Sequence, residues 1–97
     1  MSEGHEIARQ QIAKHGKDRY PTPVLQALKL VSEVGELADE ILKAQTDQNL
    51  VTAGQRIRAE YADVGLALYE LGNKLGIDLI EEMRELVRAD GRRFGDG

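Results

Sequence analysis

The stretch from Val24 to Ile41, VLQALKLVSEVGELADEI, decides the fold. Its apolar residues Ala27, Leu30, Val31, Val34, Leu37, Ala38 and Ile41 recur at spacings of three and four, the period of one face of an α-helix. Just upstream, Tyr20-Pro21-Thr22-Pro23 holds the only two prolines of the chain. Proline disfavours helical geometry in the residue before it and fits the first turn itself, so a helix start is predicted near Thr22. Along one edge of the apolar face run Glu33, Glu36 and Glu40. Like charges three or four positions apart cost a helix about 0.2–0.5 kcal/mol per pair, so helix stability alone does not select this stripe. A cation would offset it. Lys29, one turn before Glu33, does so in part, in the less favourable order for a helix pair.

Downstream, Thr46 to Gly54 mixes Thr, Asp, Asn and Gly with little period and reads as a connection. A second long helix follows, with Ile57, Tyr61, Val64, Leu68, Leu71 and Leu75 as its face and Gly72, Asn73 and Gly76 as stop signals. It carries a second acidic pair, Glu60 and Asp63, three positions apart. Glu60 falls among Ile57, Tyr61 and Ala67 and is aimed toward the core, whereas Glu33, Glu36 and Asp63 lie at the edge. A buried unpaired carboxylate is costly, so it must be paired, protonated or bound to a metal. Asp78 with Glu81 forms a capping pattern ahead of Leu79, Ile80, Met83, Leu86 and Val87, which predicts a last helix. Glu3 to Lys14, anchored by Ile7 and Ile12, is predicted helical as well, and strand signals are nearly absent. The expected architecture is all-α: a bundle of about four helices in one domain spanning residues 1–97, with two long antiparallel motif-bearing helices.

Composition narrows the possible partners. The 97 residues are 41% hydrophobic and only 4% aromatic, a thin core that predicts completion by self-association. Thirteen basic against seventeen acidic residues leave a net charge of −4, which argues against duplex nucleic acid as a partner. No cysteine is present, so a metal must be held by oxygen or imidazole. His5 and His15 are read as surface residues that nothing pairs as ligands. No apolar run reaches the roughly 20 residues of a membrane helix, and Met-Ser-Glu-Gly-His-Glu lacks the features of a signal peptide, so no membrane partner and a cytoplasmic location are expected. Gly35 and Gly65, each beside an acidic pair, suggest either close approach of a ligand or helix beside the acids or a simple tight crossing.

If the two long helices pack antiparallel, Glu33/Glu36 and Glu60/Asp63 can face each other. All-oxygen ligation suits a hard divalent ion, and magnesium prefers to share its shell with water and substrate phosphates. The acids therefore point to phosphate chemistry. Tyr61 and Tyr69 are expected to pack in the core or an interface, and Tyr20 either lines a base pocket or anchors a hinge.

Ala27-Leu-Lys-Leu-Val-Ser-Glu-Val-Gly-Glu-Leu-Ala-Asp-Glu followed by Arg58-Ala-Glu-Tyr-Ala-Asp-Val resembles MazG-like nucleotide pyrophosphohydrolases, members of the all-α NTP pyrophosphatase superfamily. Their signature is Glu-x-x-Glu, a variable gap, then Glu-x-x-Asp, met here by Glu33 and Glu36, 23 intervening residues, and Glu60 and Asp63. Leu75-Gly-Ile-Asp-Leu79 also resembles a family segment, so the likeness spans roughly Val24 to Phe94. It implies magnesium-dependent hydrolysis (manganese as possible substitute) of a nucleoside triphosphate to the monophosphate and pyrophosphate, of the nucleotide-pool house-cleaning kind, by a homodimer or homotetramer. Carried over, Glu33, Glu36, Glu60 and Asp63 are metal ligands, with Glu33 and Glu36 catalytic and Glu33 helping to activate water. Lys29 and the C-terminal Arg92 and Arg93 become substrate contacts. Two departures stand out. Ser32 replaces a glutamate common in the family, and of a Lys-x-x-x-Asn-x-x-Arg segment, matched by Leu86, Asp90 and Arg93, only the arginine remains, with Arg88 and Arg92 nearby. A phosphoribosyl-ATP pyrophosphohydrolase and a non-catalytic helical dimerisation module of the same fold are the alternatives.

Overall fold

A computed structural model describes residues 2–94, with side chains as far as Asp90. The described residues form four helices and no strand: α1 (Glu3–His15), α2 (Pro23–Ala44), α3 (Leu50–Leu75) and α4 (Leu79–Phe94). Three of the four starts have a local cause. Thr22 caps α2 by accepting from the Leu25 N–H at 3.2 Å, with Pro23 in the first turn. Asn49 caps α3 through the Thr52 N–H at 3.0 Å, so this helix starts inside the stretch expected to be a connection and the link shrinks to residues 45–49. Asp78 accepts from the Glu81 N–H at 3.2 Å at the start of α4. Gly76 ends α3 in the left-handed region at φ 70°, which a side chain would resist.

Helices α2 and α3 pack antiparallel, with rungs that descend α3 as they ascend α2. Gln26 meets Ala67, Glu70 and Lys74, Glu33 meets Glu60, and Glu40 meets Arg56. The face of α2 that α3 covers is the heptad stripe Gln26, Leu30, Glu33, Leu37, Glu40 and Ala44, polar and apolar in alternation. Much of the expected apolar face points elsewhere: Val31, Val34, Ala38 and Ile41 are exposed, as are Val24, Leu28 and Leu42. Tyr61, expected to be packed, is 73% exposed in this chain.

Helix α1 lies on the opposite flank of α3, and here one expectation is overturned. His5 is fully buried rather than at the surface. The spacing His5, Ala8, Ile12 points toward α3, and Gly72, where an added Cβ would sit 2.9 Å from the imidazole, makes room for the ring. Gly72 is thus a close-approach glycine inside α3 and not a stop signal. The Leu79 N–H donates to His5 Nε2 at 2.9 Å, which leaves the proton on Nδ1 to be donated to Asn73 Oδ1 at 2.7 Å. Asn73 Nδ2 donates back to the His5 carbonyl at 3.0 Å, and Tyr69 meets the imidazole edge-on with centroids 4.8 Å apart. One side chain therefore ties α1, α3 and the first turn of α4. Beyond that turn α4 is weakly attached, and Met83, Leu86 and Val87 are exposed. Among the described residues no helix is long and apolar enough to cross a membrane.

Candidate metal centre

The α2–α3 hairpin brings three of the four motif acids together. One carboxylate oxygen from each of Glu33, Glu36 and Glu60 lies within 4.8 Å of the others. Asp63 is not one of this trio. It is exposed and stands beside it, lining a cavity that Glu33 also lines. Glu33, expected at the edge, is the most buried of the four at 4% exposure, and Glu60 is half-buried. The difference follows from the rotation of α2, which turns the Gln26–Glu33–Glu40 stripe inward in place of the all-apolar one.

The electrostatics of the trio are unbalanced. Glu33 pairs with Lys29, which leans over the Tyr20 ring at 5.4 Å from its centroid. Among the described residues no ion pair reaches Glu36, Glu60 or Asp63. Glu33 Oε2 and Glu60 Oε2 are both buried and without a hydrogen-bond partner. Loss of water, then the charges of Glu36, Asp63 and Glu33, push the Glu60 carboxyl above its usual range. The Lys29 ammonium is held above its ordinary value, chiefly by its bond to Glu33. Two orphaned buried oxygens in an all-carboxylate set fit a hard divalent cation, which would satisfy both and cancel the mutual repulsion.

The cavity beside the trio measures about 290 Å³ and runs from Glu33 and Asp63 toward the C-terminal end of α1. Ile12 and Leu66 supply apolar wall, and Tyr20 is on its lining as well. His15 is exposed, hydrogen-bonded to Gln11 at 3.0 Å, and both line the cavity. Among the described residues Gly35 and Gly65 are at no tight crossing, since an added Cβ would meet nothing within 4 Å at either. The side chains of Arg92 and Arg93 lie outside the described residues. Arg88 pairs with Glu85 on its own helix.

Sequence reasoning missed Gln26 and Glu70, polar residues on the inner side of the hairpin. Burial pushes the Glu70 carboxyl up, opposed by its bond to Gln26 and the charge of Lys74. Their signal was available: Gln26 lies seven residues before Glu33, on the same heptad stripe. Comparison with protein-family models, with curated proteins and with solved structures finds no match to this chain.

Proposed function

We propose that this protein is a magnesium-dependent nucleoside triphosphate pyrophosphohydrolase of the MazG-like type, releasing pyrophosphate and the nucleoside monophosphate in nucleotide-pool house-cleaning. The observation that carries the reading is the pair of buried, partnerless carboxylate oxygens on Glu33 and Glu60, within a three-acid cluster spanning the hairpin. Glu33, Glu36 and Glu60 would hold the cation, with Asp63 joining from the cavity side. Bound there, magnesium supplies charge neutralisation on the phosphates and a more acidic water. Glu33, one of the residues that would hold the cation, would also help to activate that water. Lys29, at the join between acids and cavity, meets the phosphate charge, and Arg92 and Arg93 add contacts from α4.

The protein is proposed to act in the cytoplasm as a homodimer or homotetramer. Two features support association. The apolar residues Val24, Leu28 and Val31 of α2 and Leu86 and Val87 of α4 are each more than 60% exposed. The radius of gyration is 16.4 Å, against about 13 Å for a compact chain of this length.

A panel of nucleoside triphosphates, including phosphoribosyl-ATP, assayed for pyrophosphate with magnesium or manganese, tests the reading. Metal-dependent release from at least one nucleoside triphosphate is expected. Preference for phosphoribosyl-ATP would move the chain to that activity. No release from any member, with no metal-induced rise in melting temperature, would leave a non-catalytic dimerisation module.

A further inference from the structure

The inner side of the cavity is held by a relay of polar groups whose directions are fixed. Asp18 accepts from the Tyr20 N–H at 3.0 Å and from Lys74 Nζ at 2.9 Å. Lys74 also donates to Gln26 Oε1 at 3.2 Å. An ammonium only donates, so the Gln26 atom facing it must be oxygen, and the amide nitrogen faces the other way. That nitrogen donates both its hydrogens, to the Ala67 carbonyl and to Glu70 Oε2, each at 3.1 Å. Gln26 is fully buried, whereas among the described residues the fully or nearly fully buried apolar ones are the small Ala8, Ala53 and Ala67. An apolar side chain of similar volume would pack there without the cost of desolvating a Gln, a Lys and a Glu. What the relay provides is a carboxylate set in one orientation on the cavity wall, with one oxygen occupied and the other remaining as an acceptor.

The cavity has the other features that a nucleoside needs. Its volume of about 290 Å³ is at the small end of ligand sites, about 300–1,000 Å³. One end opens on Glu33 and Asp63, where phosphates would lie, and Ile12, Leu66 and Tyr20 offer surface for a flat ring. We propose that Glu70 determines base specificity, accepting a hydrogen bond from the exocyclic amino group of the substrate's base. This inference rests on the pyrophosphohydrolase reading and narrows its substrates to nucleotides with an amino-bearing base. A carbonyl at the same place would set two acceptors against each other.

The relay also dictates what a conservative change does. In Glu70→Gln, the fixed Gln26 donor demands the oxygen of the new amide, so its NH2 must face the cavity. The acceptor becomes a donor, and the preference should invert from amino to oxo.

Binding of nucleoside monophosphates without metal, measured by calorimetry on the full chain, tests this with two pairs that differ only in that group: CMP against UMP, and AMP against IMP. The wild type should bind the amino member of at least one pair about tenfold more tightly, the value of one charge-assisted hydrogen bond. Glu70→Gln should bring the ratio in that pair below one. Equal binding within both pairs, tighter binding of the oxo members, or no binding of any of the four overturns the proposal on wild type alone, whether or not the variant folds. An unchanged ratio in a folded Glu70→Gln protein overturns it too. Any of these results alongside metal-dependent pyrophosphate release overturns the base assignment and leaves the reaction standing. Amino-selective binding without release from any triphosphate would instead remove the reaction.

Discussion

Two acidic clusters lie on the same helical hairpin, and they are solved differently. Toward the connection, Glu40 and Asp47 share Arg56 at 2.9 and 2.5 Å, while Asp39 takes Lys43 at 2.9 Å. Every acid in that group has a cation, and Asp47 is held below its usual range by the Asn49 N–H and by Arg56. Two turns away, among the described residues, Glu33, Glu36 and Glu60 have a single lysine between them, and two of their oxygens are buried with nothing to accept from. The hairpin therefore shows what its own sequence does with acids that serve structure: it places arginine or lysine within one turn or across one rung. Withholding that solution from the inner cluster leaves a charge deficit that an ion from outside can fill.

The sharpest way to break this contrast is to remove one acid from each cluster. Glu36→Gln should lower metal-dependent pyrophosphate release by about a thousandfold, the scale of losing a group that acts on transition-state charge, with the helical circular-dichroism signal intact. If activity survives, the inner cluster is a solvated surface like the outer one.

A fully satisfied polar site of a third kind sharpens the comparison. His5→Ala removes a buried ring, strands Asn73 and the Leu79 N–H, and should cost about 2–4 kcal/mol in urea unfolding. The metal-induced shift in melting temperature should be retained, because the imidazole ties helices rather than holding the acids.

The inner cluster also predicts a pH dependence. The folded pKa of Glu60 lies above its ordinary value near 4.5. The folded chain then binds that proton more tightly than the unfolded one, an advantage present in acid and lost as pH rises through the raised value. Relative to Glu60→Gln, the wild type should therefore lose stability as pH climbs from about 4.5 to neutrality. Magnesium should restore that loss in the wild type and not in the variant, as melting curves at pH 5 and 7.5 would show. The smallest effect belongs to the outer cluster: Arg56→Ala should lower the melting temperature by about 2–4 °C, less in high salt, and leave pyrophosphate release unchanged.

Much of this architecture was legible in the sequence, and the part that was not has a common cause. Helix starts at Thr22 and Asp78 and the stop at Gly76 follow from chemistry within one turn, and the structure has them where the residues predict. The pairing of two acidic motifs on an antiparallel hairpin was legible from spacing. The rotation of α2 was not, because its sequence offers two stripes. Val24, Leu28, Val31 and Ala38 form the more apolar one, yet Gln26, Leu30, Glu33 and Leu37 form the one that α3 covers. Periodicity locates a face but does not say whether this chain or another molecule covers it. His5 escaped for a related reason, since its burial depends on partners 64 to 74 residues away at Tyr69, Asn73 and Leu79. Asp63 was grouped with the cluster by motif, and its place on the cavity edge depends on side-chain direction that spacing leaves open.

The five-residue link 45–49 has a kinetic meaning. Glu33, Glu36 and Glu60 all belong to one hairpin, so the loop closed in bringing them together is short and costs little entropy. Closing it costs less chain entropy than docking α1 on α3 through His5 and Asn73, which favours the hairpin forming first. The chain must therefore drive like charges together at the start, when little else has been gained. A divalent ion present during refolding would remove that barrier at its source, acting on the folding rate as well as on the finished molecule.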